Sequence, residues 1–161
     1  PPSLEYLKNS GGIFRDMTIH DFDLARFYLG NDPVKEVFAS ASNISDSKFK
    51  KINDYEIATC VLRSKSGVIS VVNNSRHCAF GYDQRVEIFG KKGMLISGNK
   101  RKYNFFIDRY RSAYKLQLED LSNLFKKNKK PRASFEDGEK SLLIANAAYK
   151  SLRSKKVVRI K

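Results

Sequence analysis

Residues 55–74, YEIATCVLRSKSGVISVVNN, hold two apolar alternations separated by Ser64-Lys65-Ser66. Residues 55–63 and 67–74 each have the length and β-branched content of a strand, and the join is short and polar. They read as a hairpin. Side chains alternate along a strand, so Ala58, Cys60 and Leu62 share one face while Thr59 and Val61 share the other. Both faces are apolar or small, and that decides the fold: a sheet with one face for helices and a second for another surface.

The flanking chain extends the pattern. Residues 34–43 (VKEVFASASN) alternate as a strand with Val37, Ala39 and Ala41 on one face and Phe38, Ser40 and Ser42 on the other. Residues 85–89 and 93–97 read as a second hairpin around Gly90-Lys91-Lys92-Gly93. Helical spacing follows in 103–126 (Phe106, Tyr110, Tyr114, Leu118, Leu121, Phe125), with a stop at Lys129-Lys130-Pro131. It recurs in 137–153 (Leu142, Ala145, Tyr149, Leu152), with Asp137 as N-cap. A short strand over 156–160 closes the chain, and 44–54 is a polar loop. The expected class is α+β: an open-faced, mainly antiparallel sheet with helices packed on one side.

Before the first strand, residues 11–30 (GGIFRDMTIHDFDLARFYLG) read as one helix between Gly11-Gly12 and a left-handed cap at Gly30. Apolar side chains wrap most of its wheel, which predicts burial on several sides. Asp16, His20 and Asp23 form one stripe, four and three residues apart, where neighbours can touch. Three readings compete: a satisfied structural Asp–His pair, a solvated face disfavoured by Phe27 in the same stripe, and a carboxylate orienting a histidine for proton transfer. Histidine suits that last task because its unperturbed pKa lies near ~6.5. The spacing D-x3-H-x2-D lacks further ligands, since the other histidine is His77, and no metal site is expected.

A chain of 161 residues with 41% apolar and 12% aromatic residues predicts one globular domain over 1–161. Nothing reads as a membrane span or a signal peptide. Cys60 and Cys78 read as reduced core or near-core thiols of a cytoplasmic protein. The net charge of +14 is uneven, −2 over residues 1–60 and +16 over 61–161. Its basic residues come mostly as short surface pairs, and 20 of the 31 are Lys, whereas base readout favours Arg. Direct nucleic-acid binding is therefore set aside.

Four segments carry a resemblance: 10–30, 73–94 (NNSRHCAFGYDQRVEIFGKKGM), 109–121 (RYRSAYKLQLEDL) and 136–152 (EDGEKSLLIANAAYKSL). In order and spacing they resemble the C-terminal half of the glucose–fructose oxidoreductase and inositol dehydrogenase family, and within it the inositol 2-dehydrogenases. The resemblance implies NAD-dependent oxidation of a ring hydroxyl in a cyclic polyol or sugar, and homo-oligomers built through the sheet. It implies Asp16 and His20 as the catalytic pair, with His20 taking the hydroxyl proton and Asp16 holding the imidazole and a neighbouring hydroxyl. Asp23 and Tyr82 are implied on the substrate side, and Tyr110 near the nicotinamide.

Three features depart from the family. The dinucleotide fingerprint is absent, its closest approximation being Gly90 and Gly93 in a hairpin. The E-K-P segment, whose lysine joins the catalytic pair, is absent too. The stretch from Gly98 to Tyr103 is shorter than the family's loop. The expectation is a substrate-binding and oligomerisation domain without its N-terminal dinucleotide-binding domain, inactive and unable to bind NAD alone; PPSLEY reads as the point of division. The alternative is a non-catalytic interaction module that has lost its cofactor half.

Overall fold

A computed structural model of the chain describes residues 3–127 and 131–161. It divides into two compact units, Pro1–His77 with Ala133–Lys161, and Cys78–Arg132.

In the first unit the opening hairpin forms as read, with β2 over Ile57–Ser64 and β3 over Ile69–Ser75. The turn reaches one residue further than the polar triplet: Gly67 takes φ +97°, and the Ser64 N–H bonds to the Val68 carbonyl at 2.9 Å. β1 (Val34–Ser42) pairs with β2, and β6 (Val158–Arg159) with β1, giving the order β3-β2-β1-β6 with every pairing antiparallel. The register aligns Phe38, Val61 and Val71 across the outer face, then Ser40, Thr59 and Asn73. Phe38, Ile69 and Val71 there are exposed.

The inner face carries Val37, Ala39, Ala58, Cys60 and Leu62, all buried. Helix α6 (Phe135–Ser154) meets it with Ile144, Ala145 and Ala148. Small side chains bring its backbone close enough for the Ala39 N–H to donate to the Ser151 hydroxyl at 3.0 Å. The N-cap of α6 is Ser134, not Asp137. Asp137 stands three residues on and returns a bond to the Ser134 N–H at 2.9 Å, which makes a capping box.

The segment read as one helix is two: α2 (Ile13–Asp16) and α3 (Thr18–Leu29), broken at Met17, whose φ of −115° leaves the helical range. Ile13, Phe14 and Phe22 are fully buried, but Phe27 is 75% exposed and Tyr28 is exposed as well. Burial on several sides is thus corrected to burial on one. Gly30 does take positive φ (61°), but its ψ of −121° is not that of a left-handed cap; Lys155, after α6, has that geometry (55°, 29°). Two short helices lie in segments not read as helical: α1 (Leu4–Asn9), and α4 (Lys48–Lys51) within the polar loop.

The second unit holds the hairpin of β4 (Val86–Gly90) and β5 (Gly93–Ser97), a ladder of its own, and helix α5 (Phe106–Lys127). Lys129 and Lys130, where the sequence places the stop of α5, lie outside the described residues, as do Pro1 and Pro2. None of this unit's described side chains is buried. Cys78, in this unit, is exposed rather than near a core, whereas burial in the sheet pushes the Cys60 thiol up to about 12.

Candidate active site

The short helix α2 is held at both ends by one buried ion-pair chain. At its start the Ile13 N–H donates to Asp54 Oδ1 at 2.8 Å, satisfying an amide that has no partner within the helix. Asp54 Oδ2 accepts from Arg76 Nη2 at 2.9 Å. Arg76 Nη1 donates at 2.9 Å to Oδ2 of Asp16, the last residue of α2. The Arg76 side chain is 2% exposed, and its Nε donates to the Tyr55 carbonyl at 3.3 Å. A buried guanidinium needs such partners, and two carboxylates with a carbonyl supply them.

Asp16 has a second donor. The Tyr6 hydroxyl, delivered by α1, donates to Oδ1 at 2.5 Å, and that hydrogen bond to a negative carboxylate raises the tyrosine pKa above its ordinary value. Gly12 makes the approach to α2 possible. It has φ +81°, and a Cβ there would overlap the Tyr149 hydroxyl, which bonds back to the Gly11 carbonyl at 3.1 Å.

His20 lies on α3, beyond the break at Met17. Its imidazole is exposed and makes no hydrogen bond or ion pair among the described residues. The expected Asp16–His20 hydrogen bond is therefore not formed. A wheel at a constant angle per residue assumes one continuous helix, and the break changes the phase between the two side chains. Asp23, the third member of the stripe, turns toward α6, where Oδ1 accepts from Arg26 Nη1 at 3.0 Å and from the Ser141 hydroxyl at 3.1 Å. Arg26 also pairs with Asp137 at 2.9 Å and holds that carboxyl far below the usual range. Asp23 thus belongs to a helix–helix junction.

Tyr82 and Tyr110 meet in the second unit. Tyr82 pairs through its backbone with Tyr103, and its hydroxyl donates to that of Tyr110 at 3.2 Å. Tyr110 in turn donates to Gln84 Oε1. Gly81 permits this arrangement: at φ +104° its missing Cβ leaves room for the Tyr103 carbonyl. Arg109 covers the Tyr110 ring from 5.2 Å.

Tyr6, Asp54, Arg76 and Gln84 did not stand out in sequence. Arg76 and Gln84 fall inside the quoted segment 73–94, but nothing in their spacing names a partner. Asp54, 22 residues before Arg76, sits in a segment that reads as a polar loop.

Among the described residues, the glycines closest to a fingerprint or to Asp16 do not cradle a dinucleotide. Among the glycines, Gly12 faces Tyr149 and the Asp54 carboxylate, the wrong charge for a pyrophosphate, and Gly90 and Gly93 close the β4–β5 turn. Among the described residues no cluster of three or more His, Cys, Asp or Glu could hold a metal ion, and no helix is long and apolar enough to cross a membrane.

Comparison with known proteins places this geometry in a family. The model of the GFO/IDH/MocA C-terminal domain matches residues 1–96. The myo-inositol 2-dehydrogenase of Thermotoga maritima is 42% identical, over 99% of this chain and 52% of its own length. The scyllo-inositol 2-dehydrogenase (NAD(+)) of Bacillus subtilis is 28% identical, over 95% of this chain and 49% of its own. The crystal structure of a myo-inositol dehydrogenase from Corynebacterium glutamicum superposes with a TM-score of 0.94 at 36% identity, covering all of this chain and 53% of that one. The chain spans about half the length of the curated relatives it matches. Shared fold, shared sequence and the family-model match together mean that the chain belongs to the GFO/IDH/MocA family and carries its C-terminal domain.

Proposed function

We propose that this chain is the substrate-side domain of an NAD-dependent inositol dehydrogenase that oxidises a secondary hydroxyl of a cyclic polyol. The observation that carries the reading is the anchoring of Asp16 by Tyr6 and Arg76, one helical break before His20, whose exposed imidazole has no partner among the described residues. An exposed, unpartnered imidazole nitrogen is free to accept the hydroxyl proton. Asp16 keeps spare lone pairs beyond its two donors, since a carboxylate offers about four acceptor sites, and these can take a neighbouring ring hydroxyl. The described residues offer no dinucleotide cradle, so no hydride step is assigned to them; the proton and the polyol are this chain's part. Within the second unit, the Tyr82–Tyr110–Gln84 group presents hydroxyl and amide groups of the type that reads a polyol. Homo-oligomers form through the outer sheet face.

The test joins the chain to a nucleotide-binding domain and follows NAD reduction with myo-inositol and scyllo-inositol. Turnover with either, lowered roughly 10²–10⁴-fold by Asp16→Asn, supports the reading. A folded protein that turns over neither, and still assembles through the sheet, would make the chain an interaction module instead.

A further inference from the structure

The Asp54–Arg76 pair joins two backbone anchors to one side chain. Asp54 holds the first amide of α2, and the Tyr55 carbonyl holds Arg76 Nε. Arg76 follows β3 directly, and its own N–H donates to the Glu56 carbonyl at 2.8 Å. Arg76 is thus fixed to residues 54–56, just before β2, through its backbone, its Nε and its Nη2. Only Nη1 remains, and it is spent on Asp16 Oδ2. Tyr6 takes the other oxygen from the solvent side, its ring half exposed. Two donors on two oxygens define the plane of a carboxylate, which one donor does not.

We infer that Arg76 is the positioning residue for Asp16, with Tyr6 completing the clamp. This rests on the reading of Asp16 as a residue that touches substrate. Lysine cannot replace Arg76, because an ammonium is a compact point charge and cannot reach both carboxylates and the carbonyl in fixed directions. The clamp acts on the polyol side alone, so its loss should lower kcat and leave the KM for NAD unchanged; general loosening of the fold would move both.

A double-mutant cycle tests this in the chain joined to a nucleotide-binding domain, with myo-inositol and NAD. Arg76→Lys is expected to lower kcat by roughly 10- to 100-fold, the scale of a small misplacement of a reacting group. In the Asp16→Asn background the same change should cost less than about threefold, because the interaction it disrupts is already gone. Should Arg76→Lys fail to fold, Tyr6→Phe runs the same cycle, since it removes a hydroxyl from a half-exposed ring and leaves the buried pair intact. A full, multiplicative loss in the Asp16→Asn background would overturn the proposal, and so would a wild-type kcat in a folded Arg76→Lys or, in its stead, Tyr6→Phe protein. Undiminished turnover in Asp16→Asn alone would overturn the reading beneath it, whatever Arg76→Lys does.

Discussion

Asp23 and Asp16 lie on the same sequence stripe, yet their carboxylates do different work. Asp16 is gripped from the sheet, whereas Asp23 ties α3 to α6 through Arg26 and Ser141. Asp23→Asn is therefore expected to change turnover by less than about threefold while lowering stability by roughly 0.5–1 kcal/mol, the range of a half-exposed ion pair. Thermal melts beside steady-state rates would check it; a hundredfold loss of kcat at unchanged melting temperature would instead place Asp23 at the substrate, as the family resemblance implies. Asp16, His20 and Asp23 were all legible as candidates, because their residue types and spacing are local facts. Their partners were not. Arg76 bonds to residues 60 and 22 positions away, and no periodicity carries such pairings.

Among the elements, the strands were the most legible. Alternation in Val34–Ser42 and Ile57–Ser64 reports burial on one face, and the observed register puts the expected residues there. The helix over 11–30 misled because its apolar content hid a break at Met17, which is set by tertiary anchors at Asp54 and Tyr149. The loop over 44–54 was legible as polar, but not as ordered. The Glu56 carboxylate orders it by accepting from the Ile44, Ser45 and Asp46 amides at 3.0–3.2 Å and from the Ser45 hydroxyl. These bonds, the hydroxyl above all, hold the Glu56 pKa below its ordinary value of 4.5. A carboxyl lowered in the folded state contributes stability above its unfolded pKa and loses it as pH falls through the folded one. Stability should accordingly fall on acidification below about pH 4.5, and less steeply in Glu56→Gln, which starts out less stable at neutral pH. Denaturant midpoints between pH 7 and pH 3 measure this; identical slopes for parent and variant would rule Glu56 out as a source.

For the molecule as a whole, the outer sheet face matters most. Val61 stands between Phe38 and Val71, beside the small row of Ser40, Thr59 and Asn73. Such a face allows a second sheet to approach to the ~10 Å spacing of packed sheets, and twofold pairing is the commonest assembly of soluble chains. The parent chain is expected to sediment as a dimer or larger at moderate salt, and Val61→Lys as a monomer; a monomeric parent, or a variant that still assembles, would exclude this face. The central claim is narrower: the His20 imidazole takes the substrate proton. His20 is exposed and unpartnered among the described residues, so its removal should leave the fold untouched. The most direct measurement is kcat for myo-inositol oxidation by His20→Ala, in the chain joined to a nucleotide-binding domain, beside its melting temperature. The expected result is a loss of roughly 10²–10⁴-fold, the contribution of a general base, at an unchanged melting temperature. A folded His20→Ala protein with the parent's kcat would contradict it.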